Sequence, residues 1–198
     1  MYDAREWGKV TGVGLLTLTL AWPGSLSGQD SVQVADTTPP PPAFLDVVGA
    51  GDAAEVIALL QEGADPNQPD ASGDVAVGRH LQRFGDPLGM AHVLLDAGAD
   101  PNRANASGTT PLMFASQWAP PDVVQLLLDR GADPNLGDGV GDVPLGAYIA
   151  SHYDPVTIAR LLLVAGADPT RPNASGVTPR MYAQHWGSPE LVRLLGGG

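Results

Sequence analysis

The chain has 198 residues, contains no cysteine and carries a formal net charge of −12 at pH 7. The lack of cysteine excludes disulfides, thiolate metal sites and thiol catalysis, and the acidic balance disfavours nucleic acid as a partner. The length allows one folded domain with a buried core.

The N-terminal segment has the order of a secretory signal. Basic residues precede an apolar stretch at 10–21, and Ser25 and Ser27 then stand at the −3 and −1 spacing of a cleavage site. We therefore predict a signal peptide at 1–27, because the apolar stretch is too short to cross a bilayer as a stable helix. Acidic residues ahead of the stretch leave an uncleaved anchor and a misassigned start as alternatives.

The next segment, 28–42, is polar and ends in the proline run Pro39–Pro42. Such runs favour extended polyproline geometry and cannot build a core. We expect a disordered, Pro-rich linker at 28–42 and a folded domain at 43–198. With the signal peptide removed, the protein would be periplasmic or secreted.

The folded region is organised by a recurring five-residue stretch, Gly-Ala-Asp-Pro-Asn. Its copies occupy 63–67, 98–102 and 131–135, and a fourth copy at 166–170 ends in Thr170 in place of asparagine. Each copy follows a leucine-rich run, so each glycine is predicted to lie just past a helix end in the left-handed conformation. The glycines are 35, 33 and 35 residues apart, a period that indicates stacked repeats.

The third repeat shows how one unit is built. Thr110 can accept a hydrogen bond from a free N–H of the first helical turn, and Pro111 has no N–H to leave unsatisfied, so the pair predicts the start of an inner helix. The Pro120-Pro121-Asp122 stretch breaks that helix and begins an outer one, which ends before Gly131. The unit is therefore a helix, a turn, a second helix and an extended loop.

The sequence from Gly108 through Thr110-Pro111-Leu112, together with the Val-Val-x-Leu-Leu-Leu run that leads into Gly-Ala-Asp-Pro-Asn, resembles the ankyrin repeat. The resemblance extends over about residues 43–196. It implies an all-α ankyrin-repeat solenoid of about five helix-turn-helix units with hairpin loops, and a protein-binding module without a cofactor. The histidine that usually follows Thr-Pro-Leu is missing from every copy, so the hydrogen-bond bracing that it gives family members is expected to be weaker here.

A longer period lies beneath the first. Gly73-Asp74-Val75 recurs as Gly141-Asp142-Val143, 68 residues later, and Trp118 recurs as Trp186 at the same offset. We interpret this as duplication of a two-unit block. The 35-residue units are then expected to be extended by two residues near the end of their inner helix.

The resemblance implies that the concave face binds partners, and it places two matched sets of side chains there: Phe114, Gln117 and Trp118 in the third unit, and Tyr182, His185 and Trp186 in the fifth. Aromatic residues are enriched at binding hot spots, so we predict that both sets bind a protein partner. Packing over the neighbouring inner helix stays open as the alternative role of the aromatic residues, with the tryptophans there replacing the missing histidine.

The extended units supply further candidates. Arg79, Arg83, Tyr148 and Tyr153 lie around the expected extensions, and Asp74 and Asp142 are expected at hairpin tips, where they would give the groove exposed acidic groups. Loops carry binding residues more often than the scaffold does. A partner with a basic or mixed surface would suit this composition, although plain solvation is the alternative role for each charge.

No motif for catalysis or metal binding is found. The four histidines lack metal-ligand spacing, and neither a phosphate-binding glycine loop nor a nucleophile elbow occurs. Asp138–Asp142 lacks the further carboxylates of a calcium loop and is interpreted as a hairpin tip. Asn105 and Asn173 begin glycosylation sequons, but a turn role is favoured for both. We therefore predict no enzyme activity, cofactor, metal or small-molecule substrate.

The expected partner is another protein. Among exported bacterial ankyrin proteins, the resemblance suggests an immunity protein that inhibits a toxin enzyme, or an accessory factor for an exported enzyme. A membrane-tethered envelope scaffold is the further alternative, and it requires that residues 1–27 are retained.

Overall fold

The computed structural model describes residues 43–81, 87–147 and 154–196, and the signal peptide and linker predicted at 1–42 lie outside them. The described residues contain helices and no strands. The helices are α1 (Phe44–Ala50), α2 (Ala53–Gln61), α3 (Ala76–Leu81), α4 (Pro87–Asp96), α5 (Pro111–Trp118), α6 (Pro121–Asp129), α7 (Pro144–Ala147), α8 (Pro155–Val164), α9 (Pro179–Trp186) and α10 (Pro189–Leu194).

The helices form two layers. The odd-numbered inner helices pack on one another in sequence, the even-numbered outer helices do the same, and each inner helix contacts the outer helix that follows it. Large apolar side chains between the layers are fully buried, among them Val56, Leu94, Leu127 and Ile158. This confirms the predicted all-α solenoid of five helical pairs.

The repeated glycine ends each of four outer helices in the same way. Gly63, Gly98, Gly131 and Gly166 have φ angles of 98°, 91°, 87° and 92°. At each, the next residue donates its N–H back into the helix, as in the 2.9 Å bond from Ala132 to the carbonyl of Leu127. This is the predicted left-handed helix end, which satisfies carbonyls that the helix itself leaves free.

The asparagine that closes each five-residue motif joins successive units. The side-chain amides of Asn67, Asn102 and Asn135 each donate to the glycine carbonyl of the next motif at 2.9 Å. Their Oδ1 atoms accept the N–H of the next motif's aspartate at 2.7 to 2.8 Å. Thr170, which replaces asparagine in the fourth copy of the motif, instead donates its hydroxyl to Asp168 of the same copy at 2.6 Å. The motif is scaffold, as the sequence indicates.

Four hairpins extend beside the inner helices: 70–74, 105–109, 138–142 and 173–177. In each, the first residue donates its N–H to the carbonyl of the fifth at 2.9 to 3.1 Å. Backbone bonds then join neighbouring tips, such as the 2.9 Å bond from Gly139 to Ser107. The hairpins thus form a continuous ladder along the stack.

Threonine side chains begin two inner helices, α5 as predicted and α9 in the same way. Thr110 and Thr178 accept the N–H groups of Met113 and Met181 at 3.3 and 3.2 Å, and a proline follows each threonine at the first helical position. Asp154 caps α8 in the same manner. No helix in the described part of the chain is long and apolar enough to span a membrane.

The last described unit has a more polar end than the third unit, which it duplicates. Arg180 replaces Leu112, and its Nε donates to the carbonyl of Leu195 at 2.8 Å. Met181 is 49% exposed, whereas its equivalent Met113 is 3% exposed beneath the fourth unit. This end of the stack therefore has a partly buried arginine contact but also a methionine side chain at the surface.

Candidate partner-binding face

The described side chains among those predicted to bind a partner belong to the inner helices and the hairpins beside them, and we call this surface the inner-helix face. It consists of the solvent-facing sides of α3, α5, α7 and α9 and the four hairpins beside them. Of the predicted residues, Arg83, Tyr148 and Tyr153 lie outside the described residues.

Phe114 and Tyr182 pack against the preceding unit. Both are half-buried, and each ring lies over a glycine of the previous inner helix: a Cβ added at Gly78 would be 3.9 Å from the Phe114 ring, and one at Gly146 would be 3.8 Å from the Tyr182 ring. The glycines make room for the rings. These two aromatic residues therefore help to join units, and only part of each ring is available to a partner.

Trp118 and Trp186 are the most exposed aromatic residues predicted on this face. They end α5 and α9 and are 43% and 66% exposed. The Trp186 ring lies 5.6 Å from the Tyr182 ring, and 4.3 Å from the His185 ring in an edge-on arrangement. Gln117 is half-buried and His185 is exposed. Trp186 is thus held by rings of its own helix while most of its surface faces solvent.

The expectation for Asp74 and Asp142 is wrong in its geometry. Asp74 is only 7% exposed, and it accepts the Asn105 side-chain amide at 3.0 Å. Asp142 is half-buried and accepts the Asn173 amide at 2.7 Å. Both stand at the base of a hairpin, and their carboxylates join one hairpin to the next because the following asparagine reaches back to them.

Arg79 also makes contacts within the chain. Its NH1 atom lies 3.3 Å from Oδ2 of Asp70 and 3.9 Å from Oδ2 of Asp74. The guanidinium is therefore bound to the first hairpin. The sequence interpretation missed Asp70, although the 68-residue offset that relates Asp74 to Asp142 also relates Asp70 to Asp138.

The described residues offer no arrangement typical of catalysis. They contain no group of three or more histidine or acidic side chains that could hold a metal ion. The pKa values of Asp154 and Asp168 are lowered, chiefly by hydrogen bonds from the Thr157 and Thr170 hydroxyls. Both carboxylates belong to a helix cap or a loop turn and lie off the inner-helix face, so their shifts reflect local structure.

The stacked helical pairs and the hairpin ladder define a helical repeat protein that offers an extended, preformed surface. Residues 45–138 match the family model for ankyrin repeats, in three copies. Residues 45–138 therefore belong to the ankyrin-repeat family, and the fourth and fifth units continue the same helix order. A comparison with curated proteins gives no match. Ankyrin repeats are in general non-catalytic modules for protein–protein interaction, and we assign the interaction role to this chain.

Proposed function

We propose that this protein is exported and binds a basic protein partner on its inner-helix face. The observation that carries the proposal is the exposure of Trp118 and Trp186 at equivalent ends of α5 and α9, where rigid aromatic surface is available on a preformed scaffold. A surface that is ordered before binding loses little conformational entropy when it binds. The formal charge of −12 favours association with a positively charged partner.

Within this proposal, the partner class that we favour is a basic toxin enzyme in the periplasm, which the protein would inhibit by covering its surface. The acidic composition supports this choice, and the export signal expected at 1–27 would bring both proteins to one compartment. The alternative role as an accessory factor for an exported enzyme uses the same face. A membrane-tethered scaffold would require an uncleaved N-terminus.

Site-specific crosslinking tests the face. A photoreactive residue placed at Gln117 or His185 in the full chain should trap a partner in the periplasm of the producing cell. The matched control is the same residue at Gln125, which is exposed on the outer helix α6. Equal trapping at all three positions, or at Gln125 alone, would place the interface elsewhere.

Affinity for the trapped partner is then measured with purified proteins. Trp118→Ala with Trp186→Ala should weaken binding at least about 30-fold, since even one hot-spot side chain contributes about 2 kcal/mol or more. Val164→Ala is the control, because Val164 is apolar and 84% exposed on α8. Circular dichroism checks that the double variant is folded. Unchanged affinity in a folded double variant would refute the proposal.

Export is tested separately by mass spectrometry of the mature N-terminus. Cleavage after Ser27 would give a chain that begins at Gly28. A chain that keeps residues 1–27 in the membrane fraction would favour the tethered alternative.

A further inference from the structure

The two-unit duplication has left one pair of carboxylates with a cationic partner and its duplicate without one in the described part of the chain. In the first block, Asp70 and Asp74 bind Arg79. In the second block, Asp138 and Asp142 occupy the equivalent positions, and Ala147 stands 68 residues after Arg79. The second block therefore has both carboxylates and an alanine where the first block has the arginine.

The two hairpins hold their carboxylates in the same way. Oδ1 of Asp70 accepts the N–H of Ser72 at 2.7 Å and of Asp74 at 3.0 Å. Oδ1 of Asp138 accepts the N–H of Val140 and of Asp142, both at 3.0 Å.

The second carboxylate of each pair is matched as well. Asn105 donates to Oδ1 of Asp74, and Asn173 donates to Oδ1 of Asp142. In each hairpin these bonds are made by the Oδ1 atoms. In the hairpin at 70–74 the Oδ2 atoms of both aspartates face the Arg79 guanidinium. Because the Oδ1 bonds match, we expect Oδ2 of Asp138 and Oδ2 of Asp142 to take a similar arrangement.

Asp142, Gly146 and the Tyr182 ring border a shallow depression beside the hairpin at 138–142. The depression encloses no space of its own, so a guanidinium would lie at the surface against these groups. An aromatic ring next to a carboxylate is a favourable wall for a planar cation. Arg171 also borders the depression, but its NH1 donates to the carbonyl of Asn135 at 2.8 Å. In the first block the residue equivalent to Arg171 is Arg103, and its presence does not prevent Arg79 from binding the carboxylates.

We infer that Asp138 and Asp142 form a receptor site for an arginine side chain of the protein partner, which takes the place that Arg79 occupies in the first block. The site rests on the proposed protein-binding function and makes it more specific: the partner presents an arginine to units four and five. Carboxylate pairs bind guanidinium through charge-assisted hydrogen bonds of defined geometry. Arg79 shows, within the same chain, how an arginine side chain binds such a pair of carboxylates.

The test uses the full mature chain and N-acetyl-arginine methylamide as the probe, with the neutral citrulline analogue as the ligand control. Amide NMR spectra should show saturable shifts at Gly141 and Asp142 with the arginine probe and none with citrulline. Gly73 and Asp74 should not respond, because Arg79 already fills their site. Shifts that never saturate, or that citrulline reproduces, would overturn the inference.

Asp138→Asn is the sharpest variant. Asn105 and Asn173 form the same turn in their own hairpins, so asparagine should keep the hairpin while removing the charge. We expect at least about a tenfold loss of probe affinity, the size expected for a hydrogen bond to a charged group. Asp70→Asn is the matched control and should leave binding at the 138–142 hairpin unchanged. Full affinity in folded Asp138→Asn would also overturn the site.

Two reciprocal variants complete the test. Arg79→Ala should open a second binding site, with new shifts at Gly73 and Asp74, and Ala147→Arg should block the original one. If Ala147→Arg does not fold, Arg79→Ala and Asp138→Asn still test whether the arginine site exists. A protein partner that binds Asp138→Asn and wild type equally would leave the proposed function standing and refute the arginine site.

Discussion

Asn105 donates its side-chain amide to the carboxylate of Asp74 at 3.0 Å, across 31 residues of sequence. The same side chain accepts the N–H groups of Ser107 and Thr109 through its Oδ1 atom, both at 3.0 Å. One residue thus shapes its own hairpin and joins that hairpin to the one before it. Asn105 therefore has a structural role in the folded protein.

This bond predicts energetic coupling between the two hairpins. In a double-mutant cycle with Asn105→Ala and Asp74→Ala, we expect a coupling energy of about 1 to 3 kcal/mol, the range for hydrogen bonds to charged groups and for residues that share a network. Urea unfolding followed by circular dichroism measures it.

The duplicate pair is the matched comparison for this cycle. The same cycle on Asn173 and Asp142 should give a smaller coupling, because Asp142 is less buried than Asp74. Effects of the single variants that simply add in both pairs would contradict the prediction.

The asparagine that ends each repeated motif should matter only where another motif follows it. Asn102→Ala removes the bonds to the Gly131 carbonyl and the Asp133 N–H, and we expect a loss of about 1 to 2 kcal/mol in the free energy of unfolding. Thr170→Asn is the control. In the described part of the chain no further motif lies beside Thr170, so asparagine there should change stability by less than about 0.5 kcal/mol.

Thermal and urea unfolding of the two variants measure this difference. A stabilising effect of Thr170→Asn comparable to the loss in Asn102→Ala would mean that position 170 has a partner of its own.

The duplicated methionines test how far the fifth unit is covered. Met113→Glu should cost about 3 kcal/mol or more, because it buries a charge that has no counter-ion. Met181→Glu, at the equivalent exposed position, should stay within about 0.5 kcal/mol of wild type. Urea unfolding of both variants gives the comparison, and a large loss in Met181→Glu would show that something covers this end of the stack in solution.

The sequence predicts those parts of this fold that depend on neighbouring residues. The helix end at Gly131 follows from a backbone conformation that favours glycine, and the helix start at Thr110-Pro111 follows from the free N–H groups of a first turn. Both depend on contacts within a few residues. The period of the motif then fixes the stacking of units, because each unit alone cannot bury its apolar side.

The candidate site was harder to predict because its contacts are between units. Nothing in the residues around Asp74 shows that an asparagine 31 residues later will reach its carboxylate, so the residue was expected at an exposed tip. The same limit hid the pairing of Asp70 with Arg79. The internal 68-residue offset was the available signal. It places Asp138 at the position of Asp70 and Ala147 at the position of Arg79, so the second block has the carboxylate without the arginine.

The cap of α8 predicts how acid affects stability. The pKa of Asp154 is lowered first by the hydroxyl of Thr157, which donates to Oδ2 at 2.6 Å, and then by the Thr157 backbone N–H. A lowered folded-state pKa means that the ionised carboxylate stabilises the fold above the unfolded-state pKa of about 3.9. This stabilisation is lost as the pH falls from about 4 through the folded-state pKa.

Thr157→Val removes the strongest of these hydrogen bonds, so we expect the pKa of Asp154 to rise toward its ordinary value, as measured by NMR titration of its carboxyl carbon. Asp154→Ala should cost about 1 kcal/mol at pH 7, the usual effect of losing a helix N-cap, and this difference from wild type should shrink as the pH falls below about 4. Asp122→Ala, which removes another exposed carboxylate from an outer helix, controls for the change in net charge. If the stability difference for Asp154→Ala stayed constant from pH 7 to pH 2, the ionised cap would not be its cause.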